Sequence, residues 1–270
     1  MSSGAGISRS GRAELASVVA GGRRLVSVTD VAMALAIDRV TAAKKLSRWA
    51  AHGWLRRVRR GLYIPVPLEA ERPDSWSEDP LLLADAVWAP CYFTGWTAAS
   101  QWGLTEQIFH STVLKTATRV RSARERLLDH EYLLAHISEQ DMAWGMKPIW
   151  REERRVQTAD PARTVIDILD TPALGGGIRH SVEILAAYLE ENDWRTLVEY
   201  GDRLGNRAVF KRLGYLLEAA ELGQTELVEE CRQRISAGIS LLDPGAPASG
   251  PRVSRWRLRA NVAVTREEPS

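Results

Sequence analysis

The chain has 270 residues, 45% hydrophobic and 26% charged, with a net charge of +2 at pH 7; this is the balance of a folded globular protein with room for two domains. Its two cysteines, Cys91 and Cys231, are far apart, and no CxxC or HExxH pattern occurs, so neither a zinc site nor a disulfide framework is expected, and no cofactor or metal. The first residues, MSSGAGISRSGR, lack an apolar stretch, and the longest apolar run, LLLADAVWAPCYF, is broken by Asp85 and Pro90, so neither a signal peptide nor a membrane span is expected and the protein is placed in the cytoplasm.

The charge is unevenly placed. Residues 1–67 hold twelve Lys/Arg and three Asp/Glu, a local balance of +9 that leaves −7 for the rest. Such a division points to a polyanion-binding module joined to a domain of another kind. The proline- and acid-rich stretch 68–80 reads as the linker between residues 1–67 and 81–270.

In chain order, GRAELASVVAG (11–21) has helical spacing and ends at Gly21-Gly22. VTDVAMALAI (28–37) is a second helix, with Thr29 as its N-cap and Val31, Ala34 and Leu35 facing inward. RVTAAKKLSRWAAHGW (39–54) is a third, from an Asp38 cap to a Gly53 stop. Its periodicity turns Ala42, Ala43, Leu46, Trp49 and Ala50 inward and Thr41, Lys44, Lys45 and Arg48 outward, with Arg39 at its start. WLRRVRRGLYIPVP (54–67) then reads as a hairpin turning at Gly61, with Arg56, Arg57, Arg59 and Arg60 on it. Helix, short turn, basic-faced helix and basic hairpin form the layout of a winged helix-turn-helix. The third helix is expected in the DNA major groove and the wing arginines on phosphates, where the guanidinium fork binds oxygens bidentately. A solvated basic hairpin is the alternative.

Beyond the linker, YFTGWTAASQWGL (92–104) reads as a short helix capped by Thr94, and STVLKTAT (111–118) and EYLLAHIS (131–138) as strands. Between those strands Arg119, Arg121, Arg124 and Arg126 form a second basic cluster, read first as a solvated turn and second as additional DNA surface. KPIWREERRVQTAD (147–160) suggests two strands around a charged turn. DPARTVIDILD (160–170) is a helix with Asp160 as cap and Pro161 at its first position. Its Arg163 and Asp167 share a face with Asp170 and are four residues apart, so an intrahelical ion pair on a solvated face is expected rather than catalysis. TPALGGGIRH (171–180) lacks the Lys-Ser/Thr of a phosphate loop. Four amphipathic helices follow over 181–236, and SRWRLRANVAV (254–264) alternates like a late strand. The fold class is α+β: a winged helix followed by a mixed α+β domain ending in helices.

RRGLYIPV, FTGWTAASQWGLTEQ, DPARTVIDILDTPALGGG, GNRAVFKRLGYLLE and WRLRANV, in that order from about residue 28 to 264, resemble the AbiEi family of antitoxins from type IV toxin–antitoxin (abortive infection) systems. The resemblance implies a non-enzymatic protein with two jobs. Its winged helix represses its own promoter, and its C-terminal domain counters a cognate toxin that resembles a nucleotidyltransferase, without a need for a stable complex. It assigns the DNA role to Thr41, Lys44, Lys45, Arg48 and the wing arginines, and the family's C-terminal motifs to Arg163, Asp167, Gly175, Gly176 and Arg212. The operator is expected to be double-stranded DNA with inverted repeats bound by a dimer. Two other readings remain at this stage: a regulator whose C-terminal domain senses a metabolite, and a nuclease or other DNA-modifying enzyme using acids such as Asp160, Asp167 and Asp170 to hold Mg²⁺.

Overall fold

The computed structural model describes residues 9–20, 25–67 and 78–264; the greater part of the expected linker lies outside them. By internal contacts the chain forms two units, one of residues 1–89 with 126–131 and one of 90–125 with 132–270. This division keeps residues 80–89 with the first unit, whereas the sequence reading began the second domain at residue 81.

The first unit opens with α1 (Arg9–Val19), β1 (Val26–Ser27), α2 (Val28–Leu35) and α3 (Arg39–Ala51). Strands β2 (Leu55–Arg59) and β3 (Leu62–Pro65) follow, and then α4 (Pro80–Trp88). The three strands form one antiparallel sheet in the order β1-β3-β2. Helix α2 is capped by Ser27, not Thr29: the Ser27 hydroxyl accepts from Asp30 N, and the Asp30 carboxylate accepts from Ser27 N at 2.8 Å, a reciprocal box that satisfies two end amides. Ala34 is exposed rather than inward, and Ala36 in a left-handed conformation ends the helix. Helix α3 starts at Asp38, whose carboxylate accepts from Val40 N and Thr41 N at 2.9 and 3.0 Å. Val18, Val26, Val31, Ala42, Leu46, Trp49, Leu55 and Tyr63 make the core, so the inward face read for α3 is the buried one. Ala43 and Ala50 lie at its margin, half-buried.

With residues 126–131 at the β6–β7 end grouped with the first unit, the second unit holds most of a six-stranded sheet in the order β6-β7-β5-β4-β9-β8. Its strands are β4 (Cys91–Phe93), β5 (Ser111–Thr116), β6 (Arg124–Leu127), β7 (His130–His136), β8 (Met146–Arg151) and β9 (Arg154–Ala159). β4 pairs antiparallel with β5 and parallel with β9, and each of the parallel strands runs into a helix: β4 into α5 (Gly95–Gln101), β9 into α6 (Pro161–Asp170). Four more helices follow, α7 (Ile178–Glu191), α8 (Arg195–Leu204), α9 (Ala208–Ala219) and α10 (Thr225–Arg234). α6 is the hub, packing on α5, α7, α8 and α9. The expected strand over 254–264 is instead a short 3-10 turn at Ser254–Trp256 and β12 (Leu258–Arg259), paired with β10 (Ser240–Leu241) and β11 (Arg252–Val253). The alternation there arises because Trp256 and Leu258 are buried on the helical core, not because a long strand exists.

Candidate nucleic-acid interface

On α3 the cations do not share one fate. Lys44 and Arg48 are exposed and, among the described residues, carry no ion pair. Lys45 is half-buried and its ammonium lies 2.6 Å from Glu14 Oε2, so it ties α3 to α1. Thr41 turns its hydroxyl back to Asp38 Oδ2 at 2.6 Å, reinforcing the cap and holding the Asp38 carboxyl below its usual range. Arg39 is exposed and donates from Nη1 to Thr29 Oγ1 at 2.9 Å, bridging the two helices of the pair. Because Asp38 already occupies the first amides of α3, this helix end offers no free anion site, and phosphate anchoring falls to side chains.

The wing is β2 and β3. Arg56 pairs with Ile64 and Arg57 with Tyr63, and the register shifts by one before Arg59 meets Leu62. That bulge puts Val58 inward while leaving Arg57, Arg59 and Arg60 exposed. Gly61 closes the turn at φ +76°, a conformation other residues rarely adopt, with its carbonyl accepting from Val28 N at 3.3 Å. Arg56 is half-buried and donates to Asp129 Oδ2 at 2.9 Å within the first unit; this hydrogen bond holds the Asp129 carboxyl below its usual value. Lys44, Arg48, Arg57, Arg59 and Arg60 thus form an exposed cationic set on two consecutive elements.

The second basic cluster is exposed as well. Arg119 and Arg121 lie in the loop after β5, and Arg124 and Arg126 on β6 rather than in a turn.

The C-terminal motif residues sit in the core. Arg163 and Asp167 are fully buried, which corrects the solvated face expected for them: α6 is covered on every side. The ion pair expected from their spacing is present, Nε to Oδ1 at 3.0 Å. Asp167 Oδ1 also meets Lys115 Nζ at 2.9 Å, and its Oδ2 accepts from Tyr92 OH and Thr94 Oγ1, each at 2.8 Å. Thr94 therefore uses its hydroxyl on Asp167 rather than as a cap for α5. Burial pushes the Asp167 pKa up, but Lys115 and Arg163 outweigh it and hold the carboxyl below its ordinary value. The Arg163 guanidinium lies 3.5 Å from the centre of the Trp144 ring. Gly175 packs on α6, where a Cβ would come within 2.5 Å of Ile168, and Gly176 takes a left-handed φ of +84°. Arg212 is buried and donates only to main-chain carbonyls. Sequence spacing pairs Arg163 with Asp167, but Tyr92, Thr94, Lys115 and Trp144 have no local signal, since they reach this cluster through the fold. Among the described residues there is no cluster of three or more His, Cys, Asp or Glu arranged to hold a metal, and no helix long and apolar enough to cross a membrane.

With this geometry in place, comparison with known proteins decides the character of the first module. Residues 14–66, from within α1 to the end of the wing, match a family model described as a transcriptional regulator, AbiEi antitoxin. The winged helix resembles the regulator domain of that family. No curated protein matches the chain. Among solved structures, the RV2827C protein from Mycobacterium tuberculosis is similar at 16% identity with a TM-score of 0.61, covering 92% of this chain and 90% of its own. That likeness is one of fold. The AbiEi match ends at residue 66, and the α+β architecture after it agrees with the class expected from the sequence.

Proposed function

We propose that the protein is a DNA-binding antitoxin and autorepressor of a type IV toxin–antitoxin operon. Residues 1–67 bind inverted repeats in its own promoter as a dimer, and residues 81–270 counter a nucleotidyltransferase-like toxin in the cytoplasm. The observation that carries this reading is the exposed set Lys44, Arg48, Arg57, Arg59 and Arg60 on the third helix and wing of an AbiEi-type regulator domain. Phosphates would meet the wing and the base edges α3, with Arg119, Arg121, Arg124 and Arg126 as a further contact surface. A non-enzymatic role is supported by the state of the acids weighed for Mg²⁺. Asp167 is saturated by two cations and two hydroxyls, Asp160 caps α6 and accepts from Tyr200 OH, and Asp170 accepts from Asn206.

The test is footprinting of full-length protein on the DNA upstream of its own gene, together with co-expression with the nucleotidyltransferase-like product of the adjacent gene. Two protected half-sites about one helical turn apart and restored growth are expected. A single asymmetric site would overturn the dimer, and absence of protection with normal DNA binding would overturn the antitoxin role.

A further inference from the structure

The exposed face of α3 is not purely cationic. Val40, in the first turn after the Asp38 cap, is 65% exposed. It belongs to a shallow groove of about 550 Å³ lined by Val28, Arg39, Val40, Ala43, Lys44 and Ser47. Among the described residues Val40 is not part of the first unit's core, and valine is a weaker helix former than alanine. The patch is therefore explained by what covers it.

Its position and its frame narrow the occupant. In a helix-turn-helix the N-terminal residues of the second helix are the ones that reach base edges. Val40 is flanked on the same surface by Arg39, Lys44 and Arg48, whose charge complements the phosphates bordering a groove. Inside the major groove the apolar feature is the C5-methyl of thymine, and apolar side chains are the groups that read it. We infer that Val40, with Ala43 beside it, reads thymine methyl groups in the operator and is a specificity determinant of this regulator. The inference rests on the DNA-binding reading above and deepens it, predicting T·A pairs facing the start of α3 in each half-site.

The experiment starts from full-length protein and a library of random duplexes, from which the bound sequences are selected. The selected duplex is then remade with uracil in place of thymine, which removes the methyl and keeps every hydrogen-bonding group. Binding should weaken about fourfold for each methyl contacted, the effect of withdrawing one buried methyl-sized group. Val40→Ala should reduce the thymine-to-uracil ratio to below about twofold with the salt dependence unchanged, while Val40→Ile retains discrimination. Because Val40 is exposed, circular dichroism of the variants should match that of the original protein. Equal affinity for both duplexes, or discrimination that survives in Val40→Ala, overturns the inference and leaves DNA binding intact. A change in the sedimentation of DNA-free Val40→Ala would make the patch a protein interface and equally overturn it. Failure to enrich any duplex would defeat the DNA-binding reading itself, and the inference with it.

Discussion

Arg163 Nε and Asp167 Oδ1 lie 3.0 Å apart on successive turns of α6, and neither side chain reaches solvent. A pair in water would contribute little, but this one is closed off together with Lys115, so each charge depends on the others. Asp167→Ala leaves two buried cations without their shared anion and should cost about 3–5 kcal/mol of stability. The half-buried Asp170, 3.7 Å from Lys115, should matter far less on replacement by alanine. Denaturant midpoints of the two variants check this; equal midpoints would show that Asp167 is not the keystone of the cluster.

The same carboxylate makes the fold sensitive to acid. Its pKa is lower in the folded protein than in the unfolded chain, where aspartate titrates near about 3.9. Its contribution is therefore fully present above about pH 4 and is lost as pH falls through the folded value. The thermal midpoint should hold steady through neutral pH and drop on acidification below about pH 4, and Asp167→Asn should flatten that drop. An unchanged acid profile in a folded Asp167→Asn protein would assign acid lability to other groups.

On the wing, replacing both Arg59 and Arg60 by alanine should weaken binding to promoter and unrelated DNA alike. Each lost phosphate contact should reduce the slope of log affinity against log salt by about one unit. Salt titrations of both duplexes measure it; an unchanged slope would remove the wing from the interface.

Lys44 and Lys45 are adjacent in sequence and should behave oppositely. Lys44→Ala removes an exposed charge and should lower DNA affinity at constant stability. Lys45→Ala breaks the pair with Glu14 and should have little effect on DNA binding, with a stability change on the order of 1 kcal/mol or less because the pair is partly solvated. The reverse pattern in parallel binding and melting assays would mean that Lys45 leaves Glu14 when DNA binds.

The first module was largely legible in the sequence because its signals are local. Asp38 and Gly53 bracket α3, period 3.6 separates Trp49 from Arg48, and Gly61 marks the wing turn. Its errors were local too: Ser27 outcompetes Thr29 as cap because it has Asp30 three residues on to complete the box. In the second unit most helices and the strands β5, β7, β8 and β9 could be read, but not β4 at the start of the helix expected over 92–104, not β6 in the expected turn, and not burial. A helical wheel places Arg163 and Asp167 on a polar face of α6, and solvent is the default on such a face. What covers them is Tyr92, Thr94 and Lys115, 52 to 75 residues away, and no periodicity within α6 reports on partners at that distance.

Arg212 gives the C-terminal end of the chain its dependence on the rest. From α9 its guanidinium donates to the carbonyls of Leu169 and Asp170, the last turn of α6, and to those of Leu241 and Leu242 beside β10. Three stretches that are remote in sequence thus share one planar hub whose donors point in fixed, divergent directions. A lysine would supply one nitrogen in place of the three that Arg212 uses. Residues 240–242 are therefore tied to the end of α6 through one side chain of α9 as well as to β12, so a change at Arg212 would release main-chain carbonyls in both stretches at once.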